Sequence, residues 1–177
     1  MSQHNLSFPI GPFKAPEVIS QEVLAGWIQE IDEVPYRYRQ AVQSLTDEQL
    51  DTPYRPDGWT VRQVIHHVPD SHLNSYIRFH WALTEDQPTI KAYDEKAWAE
   101  LSYQQEVPVR VSLGLLESIH ARWVILLRQM TEADLEKAFI HPESKAVLQL
   151  KTVIGMYAWH GEHHLQHILQ LKERKGW

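Results

Sequence analysis

The chain is expected to be all-α, a bundle of four long helices, and three observations predict this. Glycine is scarce, with 7 in 177 residues. The longest apolar patterns recur every three to four residues rather than alternating, which is the spacing of a buried helix face. There is also a faint repeat. Ser44-Leu45-Thr46-Asp47-Glu48-Gln49-Leu50 and Gln129-Met130-Thr131-Glu132-Ala133-Asp134-Leu135 hold threonine and leucine in the same register. Each follows a long helical pattern and precedes a histidine-bearing one. The chain therefore reads as two helix–loop–helix halves in a single domain over 1–177, with an extended lead-in at 1–15.

Ala15-Pro16-Glu17 opens the first helical stretch, with proline in a first turn where its missing N–H costs little. Leu24, Ile28, Ile31, Val34, Tyr38 and Val42 continue it at helical spacing. Pro35 lies inside this run and predicts a kink or a break. Leu45-Thr46-Asp47-Glu48 starts a short helical turn, and Arg55-Pro56-Asp57-Gly58 is turn chemistry. Thr60 followed by Gln63 is a capping-box pattern, which starts the second long helix near Val61. Val64, Ile65, Val68, Tyr76, Phe79 and Leu83 extend it, with Pro69 again inside. From Thr84 to Val107 the signals weaken to a long connection, with a short helix around Glu95–Leu101. The third long helix covers roughly Val109–Met130 and the fourth roughly Leu150–Lys172, completing a bundle.

Charge and composition then remove several function classes. The formal net charge is -6, from 17 Lys+Arg against 23 Asp+Glu. That is the wrong sign for a nucleic-acid footprint or a polybasic membrane anchor. Met1–Lys14 is polar and carries Pro9 and Pro12, unlike a signal peptide. No window approaches the roughly 18 apolar residues of a membrane span. A cytoplasmic protein without nucleic-acid or membrane partners is the expectation. With 0 Cys, disulfides, thiolate metal sites, iron–sulfur clusters and a cysteine nucleophile are all excluded. What stands out is 11 His, because clustered histidines mean metal or proton chemistry.

The densest cluster is Trp159-His160-Gly161-Glu162-His163-His164-Leu165-Gln166-His167. His160 and His164 are one turn apart on one face, and so are His163 and His167. With His160 at zero and a rotation of about 100° per residue, the apolar arc of Ile154, Tyr157, Leu165 and Ile168 centres near +100°. His164 falls at about +40°, on the shoulder of that arc, whereas His167 and His163 fall at about −20° and −60°, toward the wet side. His160 and His164 are thus the pair aimed at a bundle core, and His163 reads as a rim residue. Gly161 lies in the apolar arc, where a missing side chain admits a neighbouring helix. Glu162 is rotated about 200° from His160, so the general-base geometry of a zinc-protease His-Glu-x-x-His helix does not form here.

Two imidazoles seldom complete a catalytic metal site, which commonly takes three protein ligands and leaves one position open. The second long helix offers His66, His67 and His72. His66 points away from the face of Val64 and Val68. His67 borders that face and His72 sits nearer its centre, so the two remain competitors. The isolated His4, His80, His120 and His141 read as ordinary surface or hydrogen-bonded core residues.

Gly58-Trp59-Thr60-Val61-Arg62-Gln63-Val64-Ile65-His66-His67-Val68-Pro69-Asp70-Ser71-His72 resembles the second-helix motif of the DinB/YfiT-like metalloproteins. In that motif a ligand histidine follows the tryptophan by eight residues and an aspartate follows three further on. Tyr157-Ala158-Trp159-His160-Gly161-Glu162-His163-His164 is similar to the family's fourth-helix motif. Phe8-Pro9-Ile10-Gly11, Tyr76-Ile77-Arg78-Phe79 and Phe139-Ile140-His141-Pro142-Glu143 extend the resemblance, to the YfiT (bacillithiol transferase-like) branch, over nearly the whole chain. Pro69 departs from it, standing where the family more often has a small helix-friendly residue.

The resemblance implies metal ligands at His67, His160 and His164, and so resolves the choice between His67 and His72. It implies a four-helix bundle, one divalent ion per subunit (zinc or nickel), a homodimer, and metal-dependent hydrolysis of a small-molecule substrate at an open position. Transfer to a low-molecular-weight thiol of the bacillithiol type is the alternative activity. A non-catalytic metal-binding module, which would close its coordination sphere with a fourth protein ligand, is the alternative of another class. Asp70, one turn beyond His67, and His163 are the candidates to hold the imidazole tautomers. Trp59, Trp159, Tyr157 and Tyr76 are candidates to line the site.

Overall fold

Ser20, rather than Pro16, starts the first helix. In the structure, a computed structural model that describes residues 6–177, the Ser20 side chain accepts from the Val23 N–H at 3.2 Å, and α1 spans Gln21–Val42. Residues 6–20 form no helix or strand. The earlier start expected at Ala15 is therefore corrected. Val18 is exposed, so a turn of helix there would bury nothing to offset its ordering. Residues 1–5 of the expected lead-in, His4 among them, lie outside the described residues.

The remaining elements follow in the expected order. They are α2 (Asp47–Leu50), α3 (Val61–Thr84), α4 (Glu95–Ala99), α5 (Val109–Gln129), α6 (Glu132–Glu136) and α7 (Leu150–Lys175). Two features were not anticipated: a 3-10 turn at Ser102–Gln105 and a two-stranded antiparallel hairpin, β1 (Ala138–Ile140) with β2 (Val147–Gln149). Neither proline breaks its helix, for α1 runs through Pro35 and α3 through Pro69. Buried Val34 and Tyr38 on either side of Pro35 supply packing that outweighs one lost hydrogen bond.

Local chemistry explains the helix starts. Thr46, Thr60 and Thr131 each form a complete capping box, with Gln49, Gln63 and Asp134 respectively. The boxes at Thr46 and Thr131 occupy equivalent places in the two halves, which gives the internal repeat a structural meaning. Arg62, just inside α3, pairs with Asp47 at 2.9 Å and Asp51 at 2.6 Å, holding the start of α3 against α2. Gly176 ends α7 in the left-handed conformation, the usual way to close a helix C-terminus.

The four long helices α1, α3, α5 and α7 form the bundle, α1 packing against α5 and α7, and α3 against the same two. Their buried hydrophobic residues fall into two separate clusters. One holds Ile31, Phe79, Trp123 and Ala158, and the other Val34, Val68, Leu116 and Leu165. Each long helix contributes to both. Between the two clusters, α3 places His72, α5 places His120, and α7 places His160 and His164. The core is therefore divided by a layer of imidazoles. Among the described residues, no helix is long and apolar enough to cross a membrane.

Close contact of α1 with α7 depends on two glycines of α7. A Cβ at Gly161 would lie 2.8 Å from Val34 Cγ2, and one at Gly155 would lie 2.7 Å from the Trp27 ring. Gly155→Val is expected to push the indole off α7 and cost about 1–3 kcal/mol, the usual range for overpacking. Thermal denaturation monitored by circular dichroism should show a melting temperature lowered by at least about 2 °C. An unchanged or raised value would mean that Trp27 does not hold this position.

Candidate metal centre

His67 on α3 and His160 and His164 on α7 converge where the two apolar clusters part. One ring nitrogen from each lies within 4.8 Å of those of the other two. The ring centroids are 5.4 Å apart for His67 and His160, 4.7 Å for His67 and His164, and 4.5 Å for His160 and His164. His67 is buried, and its Nε2 has no hydrogen-bond partner. His164 Nδ1 is likewise buried and unpartnered. Burial pushes the His67 imidazole down to about 4. His160 and His164 are held well below their ordinary value, first by burial and then by the neighbouring imidazoles. All three rings are therefore neutral at pH 7, and each carries one ring nitrogen with a lone pair. Unpartnered buried lone pairs are costly unless something accepts them, and neutral imidazoles suit a divalent transition-metal ion. The residues present fit such an ion.

The surrounding aromatic residues are partly those expected. Trp59, at the turn before α3, packs against two of the three rings, 4.7 Å from His67 and stacked at 6.2 Å from His164. Tyr157 lies 5.5 Å from His160. Trp159 stacks on His163 and donates its indole N–H to the Gly11 carbonyl at 3.0 Å. Tyr76 contacts His80 instead, so it lies with a different group of side chains.

The other cluster residues take separate roles. His72 is fully buried, and its Nε2 lies 3.1 Å from His160 Nδ1, so it contacts a candidate ligand. His66 points to α5, where its Nδ1 meets Ser112 Oγ at 2.7 Å. Glu162 pairs with Arg37 at 2.5 Å and accepts from Gln166, away from the three rings as the helical wheel required.

Two expectations about positioning residues are corrected. Neither Asp70 nor His163 hydrogen-bonds a ligand imidazole among the described residues. The Asp70 carboxyl is pushed up to about 6 by burial, with Gln104 opposing. His163 pairs through Nε2 with His167 Nε2 at 3.2 Å. His163 and His167 are also buried rather than wet. The wheel treats α7 as if alone, but Phe8 of the lead-in covers His163, and Tyr54 stacks on His167 at 3.9 Å. His72, the competitor of His67, and His120, expected as an ordinary surface or hydrogen-bonded core residue, are both buried and meet at 2.8 Å. The signal for His120 was its place on an apolar face, one turn from Leu116 and close to Trp123.

A four-helix bundle with three neutral imidazoles meeting at its centre defines a class: helical proteins built around a candidate metal position. The comparisons make the assignment specific. Residues 30–168 match the DinB superfamily, and the chain belongs to it. YfiT of Bacillus subtilis, which bears the name of a metal-dependent hydrolase, is 50% identical over 177 residues, covering 100% of this chain and 99% of that one. A Bacillus mycoides protein with the same kind of name is 54% identical over 173 residues, covering 98% and 99%. The solved structure of B. subtilis YfiT, described as a four-helix bundle of unusual topology, superposes with a TM-score of 0.95, covering 98% of this chain and 99% of that one at 51% identity. A mycothiol-dependent maleylpyruvate isomerase shares the fold at a TM-score of 0.61 and 16% identity, over 79% of this chain and 60% of that one.

Proposed function

We propose that the protein is a metal-dependent hydrolase in which His67, His160 and His164 hold one divalent ion, zinc or nickel. The observation that carries this reading is the convergence of three neutral imidazoles, two with buried unpartnered nitrogens, at the division of the core. The names of the relatives at 50% and 54% identity support it. When bound, an ion with three protein ligands supplies Lewis acidity and lowers the pKa of water to about 7. The chain's own contribution is positional and electrostatic. Burial keeps the three rings unprotonated, and Trp59 packs along His67 and His164, shielding that flank from water. Asp70, one turn along α3 from His67, carries a carboxyl that changes protonation near neutral pH and so suits holding and returning a proton.

The test uses protein purified without chelators. Elemental analysis should find one divalent ion per chain. Turnover on a panel of carboxylic esters and amides should vanish with chelator and return when the ion is restored. Protein with no stoichiometric ion, or turnover indifferent to chelator, overturns the reading. The chain has 0 Cys, so a thiol reaction would need its thiol from outside. Turnover that appears only with an added low-molecular-weight thiol would move the assignment to thiol transfer.

A further inference from the structure

Pro35 has no N–H, so the Ile31 carbonyl one turn earlier has no helical donor. Ile31 is fully buried, and water does not substitute. The donor is supplied by α5, whose His120 Nδ1 lies 2.6 Å from the Ile31 oxygen. A carbonyl only accepts, so His120 carries its proton on Nδ1. A neutral imidazole has one N–H, which leaves His120 Nε2 as an acceptor. Facing it at 2.8 Å is His72 Nδ1, which must therefore donate. His72 Nε2 is in turn an acceptor, and His160 Nδ1 lies 3.1 Å from it. His160 then donates through Nδ1, and its Nε2 keeps a lone pair. Ser71 Oγ, 3.4 Å from that Nε2, is able to donate to it and agrees with this polarity. Both intermediate rings are buried, His120 at 1% and His72 at 0% exposed, and burial disfavours a charged imidazole.

We propose that Pro35, acting through the Ile31 carbonyl, His120 and His72, fixes His160 as the Nδ1–H tautomer and so presents its Nε2 lone pair to the metal position. Run the other way, the same three rings would place a proton on His160 Nε2 and disable it as a ligand. The orphaned carbonyl breaks that symmetry. Pro35, His120 and His72 are positioning residues, and the inference rests on His160 serving as a ligand.

The test reads tautomers directly. Long-range 1H–15N correlation on the 15N-labelled, metal-free full chain at pH 7.5 should show His120, His72 and His160 all as Nδ1–H. Pro35→Ala returns an N–H to α1 that competes for the Ile31 carbonyl. His160 should then become a tautomer mixture, and zinc affinity measured by competition calorimetry should weaken about tenfold, the lower end for loss of a ligand-orienting partner. His120→Phe should weaken it about 10- to 100-fold. If that variant fails to fold, the wild-type spectrum and Pro35→Ala carry the test. Wild-type His160 found as Nε2–H, or unchanged by both variants, overturns the proposal. A wild-type protein with the Nδ1–H pattern that binds no zinc or nickel overturns the metal reading alone.

Discussion

Between pH 7 and pH 5 the metal-free protein is expected to lose about 10–20 °C of thermal stability. The cause is its buried imidazoles. Burial pushes His67 and His120 down to about 4 and holds His72 well below its ordinary value. In the unfolded chain each takes up its proton near 6.5. Above that pH both states are neutral at these sites, and their contribution to stability is fully present. As pH falls below 6.5 the unfolded chain binds more protons than the folded one, so stability drops until the folded rings also titrate. Each group contributes up to about 1.4 kcal/mol per pH unit, so His67 and His120 together remove about 4 kcal/mol by pH 5, and His72 acts in the same direction. That is a large share of a typical total of about 5–15 kcal/mol. Asp70 has the opposite sign. Its folded carboxyl is raised to about 6, so it takes a proton first in the folded state and favours folding as pH falls, but it is one group. Circular dichroism melts of chelator-treated protein across this range would check the expectation. Melting temperatures within about 3 °C of each other at pH 7 and pH 5 would contradict it.

His164→Ala should abolish tight metal binding while leaving the bundle folded. His164 is nearest His160 and His67 of the ring pairs at the centre, at 4.5 and 4.7 Å, so its loss leaves two ligands on different helices. Removing a partner that merely orients a ligand costs about 10- to 100-fold in affinity, and removing a ligand itself should cost at least about 100-fold, near 2.7 kcal/mol. Excess zinc or nickel should raise the wild-type melting temperature, because ion at 100 times its Kd adds about 2.7 kcal/mol. The variant should show almost none of that rise. His163→Ala is the matched control. It sits beside His164 on α7, yet its hydrogen bond goes to His167, so metal affinity should stay within about threefold. Equal losses in both variants would mean that the His160–His164 pair is not the one that matters.

Local chemistry made much of this architecture legible. The capping box of Thr60 with Gln63 is written within four residues, and the four long helices carry their apolar faces at unmistakable spacing. The alignment of His160 with His164 also follows from rotation along one helix. Features that depend on distant chain were harder to see. The burial of His163 and His167 comes from Phe8 and Tyr54, which no helical wheel of α7 contains. Where helix one begins depended on whether Val18 had anything to pack against. Pro35 reads locally as a helix breaker, but its consequence lies 85 residues away, at His120. The choice of His67 over His72 required a family resemblance, since both lie near the core face and differ in which ring each meets.

The imidazole layer also bears on how the four helices align lengthwise. A purely hydrophobic bundle tolerates sliding, because one leucine substitutes for the next. Shifting α5 along its axis by one turn, about 5.4 Å, would instead carry His120 away from both the Ile31 carbonyl and His72. Each stranded polar group in the interior would then cost about 1–3 kcal/mol. The two apolar clusters supply the adhesion, and the histidines between them act as a vernier scale whose observed setting joins the Ile31 carbonyl, His120, His72 and His160.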